Sequence, residues 1–203
     1  MSRTRLSVAL LSLAVIAGCI VPSLHSLYTE KDLVFNPALL GNWTDADGNL
    51  AQFTQTGAKA YKLVYVDKDG KTASYAAHLA QIRDALFLDL YPEEVAPANT
   101  NGGYQLHILP MHSFWVVHQI TPELKSSFMN PDWLKKYLAD NPKEIAHEQV
   151  ETGTNKNRIV LTASTEELQA FLIAHLNTPG AFSPLATFRK LMPMDKVAPE
   201  SRP

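Results

Sequence analysis

The histidines have the clearest potential for metal binding or catalysis in this chain, which contains seven of them beside a single cysteine. His112 and His118 would share one face of a strand, but six residues at ~3.3 Å each separate them by about 20 Å. Zinc ligands lie only about 2.1 Å from the ion, so this pair does not share a metal. The pattern therefore predicts no metal site and no cofactor, and leaves open only a cluster of His78, His107 and His118 across neighbouring strands.

Nucleophilic catalysis has no better support from the spacing. His112 and Ser113 are adjacent, but neighbours on a strand point to opposite faces and so do not form a base–nucleophile pair. The segment His147–Glu151 lacks the second histidine of a zinc-protease helix, and neither a Gly-x-Ser-x-Gly elbow nor a phosphate-binding glycine loop is present. The sequence predicts a protein that is not an enzyme, with a hydrolase built from scattered residues as the remote alternative.

Composition limits the class of protein further. The chain has 203 residues, 46% of them hydrophobic, with 18 basic and 20 acidic side chains. This length fits one globular domain, and the near-neutral charge lacks the basic stripe that nucleic-acid binding requires. A single cysteine excludes an internal disulfide framework.

The first nineteen residues have the organisation of an export signal. Arg3 and Arg5 precede an apolar run over residues 6–16, and small residues follow it. The run is shorter than the ~20 residues that a membrane-spanning helix needs, and a basic start with a short apolar core is typical of a signal peptide.

The end of this signal, Ile16-Ala17-Gly18-Cys19, resembles the lipobox of bacterial lipoproteins. The resemblance implies that the Cys19 thiol receives a diacylglyceryl group, that the chain is cut before Cys19, and that the new amine is acylated, for example with palmitate. Ile20 in the next position implies the outer membrane, since an aspartate there favours retention in the inner membrane in enteric-type sorting. The alternative is an ordinary secretory signal that is cut nearby.

These patterns divide the chain into four parts. We expect a signal peptide over residues 1–18, a tether over 19–32, one globular domain over 33–192 and a loose tail over 193–203. Removal of the signal leaves an acidic chain, which anionic lipid does not attract, so the acyl chains on Cys19 must attach the protein to the membrane.

The first half of the domain is predicted to form antiparallel strands. Asp45–Asn49 and Asp67–Lys71 each contain an Asp-Gly hairpin turn, and neither fits a calcium loop. Period-two alternation places one set of side chains on the inner face of these strands. The candidate lining of a ligand pocket, or of a solid core, consists of Trp43, Tyr61, Leu63, Tyr65, Leu79 and Leu88.

Two helices are predicted in the second half of the domain. Asn130, Pro131 and Asp132 supply a cap, a first helical residue and a charge that suits the helix dipole. Ser164 and Glu167 form a capping box before the second helix. The predicted fold class is α+β: mainly an antiparallel β-meander, as a partly closed barrel or a curved sheet, with two packed C-terminal helices.

Gly41-x-Trp43 at the start of the meander resembles the first motif of lipocalins. The resemblance implies an eight-stranded barrel whose closed end is covered by the tryptophan. Two features depart from that family: the Thr-Asp-Tyr motif is missing, and the arginine that stacks on the tryptophan would fall near Ala163.

Three further segments resemble uncharacterised bacterial lipoproteins: Leu27–Phe35, the run from Pro37 to Trp43, and the helix start Pro131–Leu134. This resemblance implies no activity. Together the patterns favour a lipid-anchored envelope protein, facing the periplasm, that binds an apolar small molecule or a lipid. The alternative is a non-catalytic interaction protein that docks on another envelope component through a sheet edge or the Trp133 helix.

Overall fold

The structure is a computed structural model that describes residues 20–93, 101–105, 107–152 and 155–191. The predicted signal peptide, Cys19 and the predicted tail over 193–203 lie outside the described residues. The strands are β1 (Leu33–Val34), β2 (Gly41–Thr44), β3 (Leu50–Gly57), β4 (Ala60–Val66), β5 (Thr72–Ile82), β6 (Ala85–Pro92), β7 (Ser113–Gln119), β8 (Glu123–Phe128), β9 (His147–Thr152), β10 (Asn155–Leu161) and β11 (Ala186–Lys190). The helices are α1 (Gly102–Gln105), α2 (Pro131–Asp140) and α3 (Thr165–His175).

Eight antiparallel strands close into a barrel. Their order is β5-β4-β3-β2-β11-β8-β7-β6, and β6 pairs back with β5. The short β1 adds to β5, with Leu33 opposite Ala80. Closure satisfies the backbone groups that an open sheet would leave at its edges. The predicted α+β class, mainly an antiparallel β-meander with packed helices, is confirmed, and the eight-stranded barrel is closed, as the lipocalin resemblance implies.

The two Asp-Gly turns have the same geometry, as predicted. Gly48 and Gly70 have φ angles of 88° and 80°, a conformation that glycine adopts without steric cost. The carboxylates of Asp45 and Asp67 each accept bonds from the backbone N–H groups two and four residues later. Both turns lie at the same end of the barrel, which we call the aspartate end. The other end, where the Pro37–Leu39 turn precedes β2, is called the plugged end.

Alternation along the strands builds two apolar cores. On β6, Leu88 and Leu90 point into the barrel, whereas Phe87 points to its outer wall. The outer wall packs against α2, α3 and the β9–β10 hairpin, which cover it with a second apolar layer. The helices begin where predicted: Asn130 caps α2, and Ser164 and Glu167 complete a capping box on α3.

Three stretches of secondary structure differ from what the sequence predicts. The residues from Tyr104 to Gln119, whose pattern predicts one or two strands broken at Pro110, begin within the short α1, and β7 starts only at Ser113, after Pro110, which has no N–H to donate to a ladder. Residues 147–152 form a strand that was not predicted. Residues 186–190 form β11, also not predicted, which closes the barrel between β2 and β8.

The segment expected to act as a tether is folded onto the domain. Val21, Ser23 and Leu27 are buried. Ser23 forms bridges with His112 and Leu161, so its backbone is part of the sheet structure. The tether prediction is therefore wrong for residues 20–32, because their scattered aliphatic side chains fill the outer core rather than face solvent.

Among the described residues, no helix has the length and apolar character needed to cross a membrane.

Candidate functional site

Trp43 plugs one end of the barrel. Its ring is fully buried, and its Nε1 donates to the Leu39 carbonyl at 2.8 Å. Lys190 on β11 lies over the ring, with Nζ 5.0 Å from the centroid, and donates to the Ala38 carbonyl at 2.8 Å. A cation on a tryptophan face is attractive because of the ring quadrupole. Lys190 thus makes the contact with Trp43 that an arginine near Ala163 would make in a lipocalin, whereas Ala163 itself is buried in the outer core.

Tyr61 reinforces the plugged end. Its hydroxyl accepts from the Asn36 N–H at 2.7 Å and donates to the Asn36 carbonyl at 3.3 Å. Its ring stacks on Phe35, with centroids 4.9 Å apart. Burial raises the pKa of Tyr61. The turn before β2 is therefore fixed to the barrel by side chains from β2, β4 and β11.

The predicted lining residues divide between the two halves of the barrel. Trp43, Tyr61, Leu63, Leu79 and Leu88 are fully buried and fill the interior with apolar side chains. Tyr65 is half-buried and lies towards the aspartate end, diagonally across from Tyr75 on β5. Five of the six predicted lining residues therefore belong to the filled core, and Tyr65 is the one that stays partly exposed.

Half-buried aromatic residues lie on the inner face of the barrel towards the aspartate end. Tyr65, Tyr75 and Phe128 pack against the interior core, as does the small side chain of Ala186. Burial first, and then the negative charges of Asp45 and Asp67, raise the pKa of Tyr65 to about 12. Both tyrosine rings therefore remain neutral over the physiological pH range.

Two buried polar atoms inside the barrel have no hydrogen-bond partner among the described residues: the Trp115 Nε1 and the Ser126 Oγ. Trp115 is 5% exposed and Ser126 is 0% exposed. The indole ring lies edge-on to Phe128, at 5.1 Å, and is stacked with Phe188, at 6.2 Å. A buried donor without a partner costs about 1–3 kcal/mol. Among the described residues of the barrel interior, these two groups are the buried polar atoms without a hydrogen bond.

Neither Trp115 nor Ser126 was singled out from the sequence, although one signal was available. Leu124, Ser126 and Phe128 occupy alternate positions of β8 and share its inner face. A serine between two apolar residues on a core face places a hydroxyl where it needs a partner. The pairing of β8 with β7, which brings Trp115 next to it, required the fold.

A second polar cluster lies on the outer wall around Asp89, which is 1% exposed. Its carboxylate accepts from His112 Nδ1 at 2.7 Å and from the Leu27 N–H at 2.7 Å. Tyr28 and His78 share a hydrogen bond of 3.1 Å beside it. Burial and the charge of Asp89 raise the pKa of Tyr28 to about 12, whereas burial lowers the pKa of His78. The cluster binds the N-terminal segment to the barrel.

The histidine cluster that the sequence left open does not form. His118 lies on the outer face of β7, where its Nε2 shares a 2.8 Å hydrogen bond with the Ser127 Oγ. His107 follows α1, and its N–H donates to the Tyr104 carbonyl. The residues that the structure describes contain no group of three metal-binding side chains. His78 instead lies with His112 beside Asp89, because the pairing of β5 with β6 places His78 opposite Asp89.

The described surface also has cavities outside the barrel. An open one of about 460 Å³, with both polar and apolar walls, is lined by Pro142–Glu148, Thr162 and Glu167. Another, of about 290 Å³, lies between Lys31, Arg83 and α3. An apolar gap of about 10 Å³ separates the outer wall from Ile20 and α3, which is room for a single water molecule.

No family model, curated protein or solved structure matches this chain. The assignment of function therefore rests on the geometry of the barrel and on the sequence of its N-terminus.

Proposed function

We propose that this protein is a lipid-anchored component of the bacterial envelope, and that its periplasm-facing barrel binds a small apolar molecule or a lipid. Acyl chains on Cys19 attach it to the membrane, in the outer membrane by the sorting resemblance. The observation that carries the binding proposal is the pair of unpartnered buried polar atoms, Trp115 Nε1 and Ser126 Oγ. A bound molecule that accepts or shares hydrogen bonds there would remove their desolvation cost.

The construction of the barrel supports this proposal. The plugged end is closed by hydrogen bonds and by the Lys190–Trp43 contact. Towards the aspartate end, the inner face carries half-buried Tyr65, Tyr75 and Phe128. Apolar and aromatic walls with a few placed polar groups are typical of small-molecule sites. We therefore expect the ligand to enter at the aspartate end and to be small.

The proposal is tested with the mature chain in which Cys19 is replaced by alanine, purified without detergent. Native mass spectrometry should detect a retained small molecule, and a neutral fluorescent probe, phenylnaphthylamine, should bind the emptied protein. An empty protein that also fails to bind the probe would contradict the binding function.

A pair of variants locates the probe. Ala186→Phe adds a ring on the inner face near the aspartate end and should abolish most probe binding. Ala170→Phe adds the same ring on the exposed face of α3 and should leave binding unchanged. Equal binding by both variants would place the probe outside the barrel.

Docking on another envelope component is the second candidate function. Three large apolar side chains are exposed on connections near the aspartate end: Tyr104 at 60%, Leu109 at 64% and Leu185 at 55%. Trp133, by contrast, packs against Tyr137 and His175, so the α2 surface named in the sequence hypothesis is partly used internally. Leu109→Asp and Leu185→Asp should weaken envelope crosslinks without affecting probe binding if docking uses this surface.

A further inference from the structure

Resting on the proposed binding function, we infer the chemical class of the ligand: a neutral molecule with one hydrogen-bond-accepting oxygen, held by Trp115 and Ser126, and not a fatty-acid anion. The chemistry of the two unpartnered groups and the charges around the aspartate end both favour such a molecule.

The two groups favour an acceptor on the ligand. An indole N–H can only donate, whereas a serine hydroxyl can donate and accept. Both side chains are buried and lack partners among the described residues. A ligand oxygen is the chemical group that accepts from both donors, as a carbonyl or ether does.

The strand register makes Trp115 and Ser126 neighbours on the inner face. Trp115 pairs with Phe128, and Val117 pairs with Ser126, so Trp115 and Ser126 are diagonal neighbours on the inner face. The Trp115 ring contacts Phe128 on β8 and stacks with Phe188 on β11, which extends it across the strand that carries Ser126. Diagonal neighbours across antiparallel strands are within reach of a long aromatic side chain.

The surroundings oppose a carboxylate. The interior core of the described residues consists of apolar and aromatic side chains, so no basic group there would neutralise a buried anion. The two hairpin tips at the aspartate end carry Asp45, Asp47, Asp67 and Asp69, against Lys68 and Lys71. Lys68 is already paired with Asp69 at 2.9 Å. An approaching anion would therefore meet a net negative rim.

Three aromatic probes of nearly equal size test the inference: acetylnaphthalene, which offers a ketone oxygen, naphthoate, which is an anion, and ethylnaphthalene, which has no acceptor. Each is titrated into the mature Cys19→Ala chain at neutral pH, and the indole N–H signals are followed by proton–nitrogen correlation NMR. Acetylnaphthalene should shift the Trp115 signal, assigned with Trp115→Phe, and should leave the Trp43 signal in place because Trp43 already donates to Leu39. We expect the affinity for naphthoate to be lower than that for acetylnaphthalene by roughly tenfold or more.

Two serines of β8 form a matched pair of variants. Ser126→Ala removes the inward hydroxyl and should weaken acetylnaphthalene binding about fivefold, with little effect on ethylnaphthalene. Ser127→Ala removes an equally buried hydroxyl on the outer face, next to His118, and should leave the affinity for acetylnaphthalene unchanged.

The possible failures are distinguishable. If none of the three probes binds, the proposed binding function itself is overturned. The probes could instead bind in the barrel with equal affinities for naphthoate and acetylnaphthalene, or with full affinity for acetylnaphthalene in Ser126→Ala. In either case the binding function stands and the inferred ligand class is wrong.

Discussion

Buried polar side chains have different roles on the two faces of the barrel wall. On the outer face, Asp89 has a partner for each carboxylate oxygen, one from His112 and one from the backbone of Leu27. On the inner face, Trp115 and Ser126 have none among the described residues. A fully bonded buried group stabilises a particular fold, whereas an unbonded one reduces stability until something binds to it.

Replacement of Asp89 should therefore be costly. Asp89→Asn places an amide beside two donors, and the loss of at least one bond should lower the free energy of unfolding by about 2–3 kcal/mol. Urea denaturation measures the change. Asp84→Asn, in the exposed turn between β5 and β6, is the control and should have little effect. Equal stability of the two variants would contradict the structural role of Asp89.

His78, in the polar cluster around Asp89, makes the stability of the folded protein depend on pH. Burial lowers the pKa of His78 in the folded protein, and this effect exceeds the opposing influence of Asp89 and Glu30. The unfolded chain therefore takes up a proton first as the pH falls below about 6.5, so stability is highest above that pH and declines towards acid. His118, whose pKa burial also lowers, acts in the same direction.

Denaturation of His78→Gln at neutral and mildly acidic pH tests this sign. The variant should lose less stability between the two conditions than the original chain does. His107→Gln, at an exposed position, should retain the original pH dependence. A decline in His78→Gln as steep as that of the original chain would assign the effect to other groups.

Among the elements, β11 completes the barrel wall between β2 and β8. It pairs with β2 on one side and β8 on the other, and without it these strands would each have an unpaired edge. Its Lys190 also contacts the Pro37–Leu39 turn through the Ala38 carbonyl. One short strand thus joins the beginning of the barrel to its end and helps to hold the plug in place.

Lys190→Met keeps most of the apolar stem but loses the charge over Trp43 and the bond to Ala38. We expect a loss of about 1–2 kcal/mol in the free energy of unfolding, measured by urea denaturation. Lys190→Arg retains a cation and its donors and should recover most of the loss. If Lys190→Met were as stable as the original chain, the packing of Trp43 alone would explain the stability of the plugged end.

For the whole molecule, the important feature is how closely the folded domain follows Cys19. Val21 is buried, and the backbone of Ser23 bonds to His112, so only Ile20 separates the cysteine from the folded segment. If Cys19 carries acyl chains, as proposed, the barrel lies directly against the membrane rather than at the end of a tether. Multiple acyl chains make such attachment effectively permanent.

Cys19→Ala tests this attachment. The variant should leave the membrane fraction and partition into the aqueous phase of a detergent separation, because the thioether-linked lipid is absent. Intact-mass measurement of the original protein should show a chain that begins at Cys19 with added fatty chains. Unchanged membrane association of the variant, or an unmodified mass, would contradict the lipobox assignment.

Local patterns predicted much of this protein. The alternation around Tyr61 and Leu63, the Asp-Gly turns, and the caps at Asn130 and Ser164 are determined by neighbours in the chain, so they are visible without a structure. The lipobox at Cys19 is likewise a local pattern. It stays a prediction, because Cys19 lies outside the described residues. These features were sufficient for the fold class and for the inner face of the first strands.

Tertiary structure alone decided the features that depend on distant partners. β11 is short and has a weak local pattern, but it forms a strand because β2 and β8 each present an unpaired edge to it. Residues 20–32 are predicted from the sequence to form a tether, yet Asp89, Leu161 and His112 supply partners for their backbone. Trp115 and Ser126 become a candidate site only when β7 and β8 pair, because the energetic cost of an unbonded polar group depends on burial, and burial is a property of the folded chain.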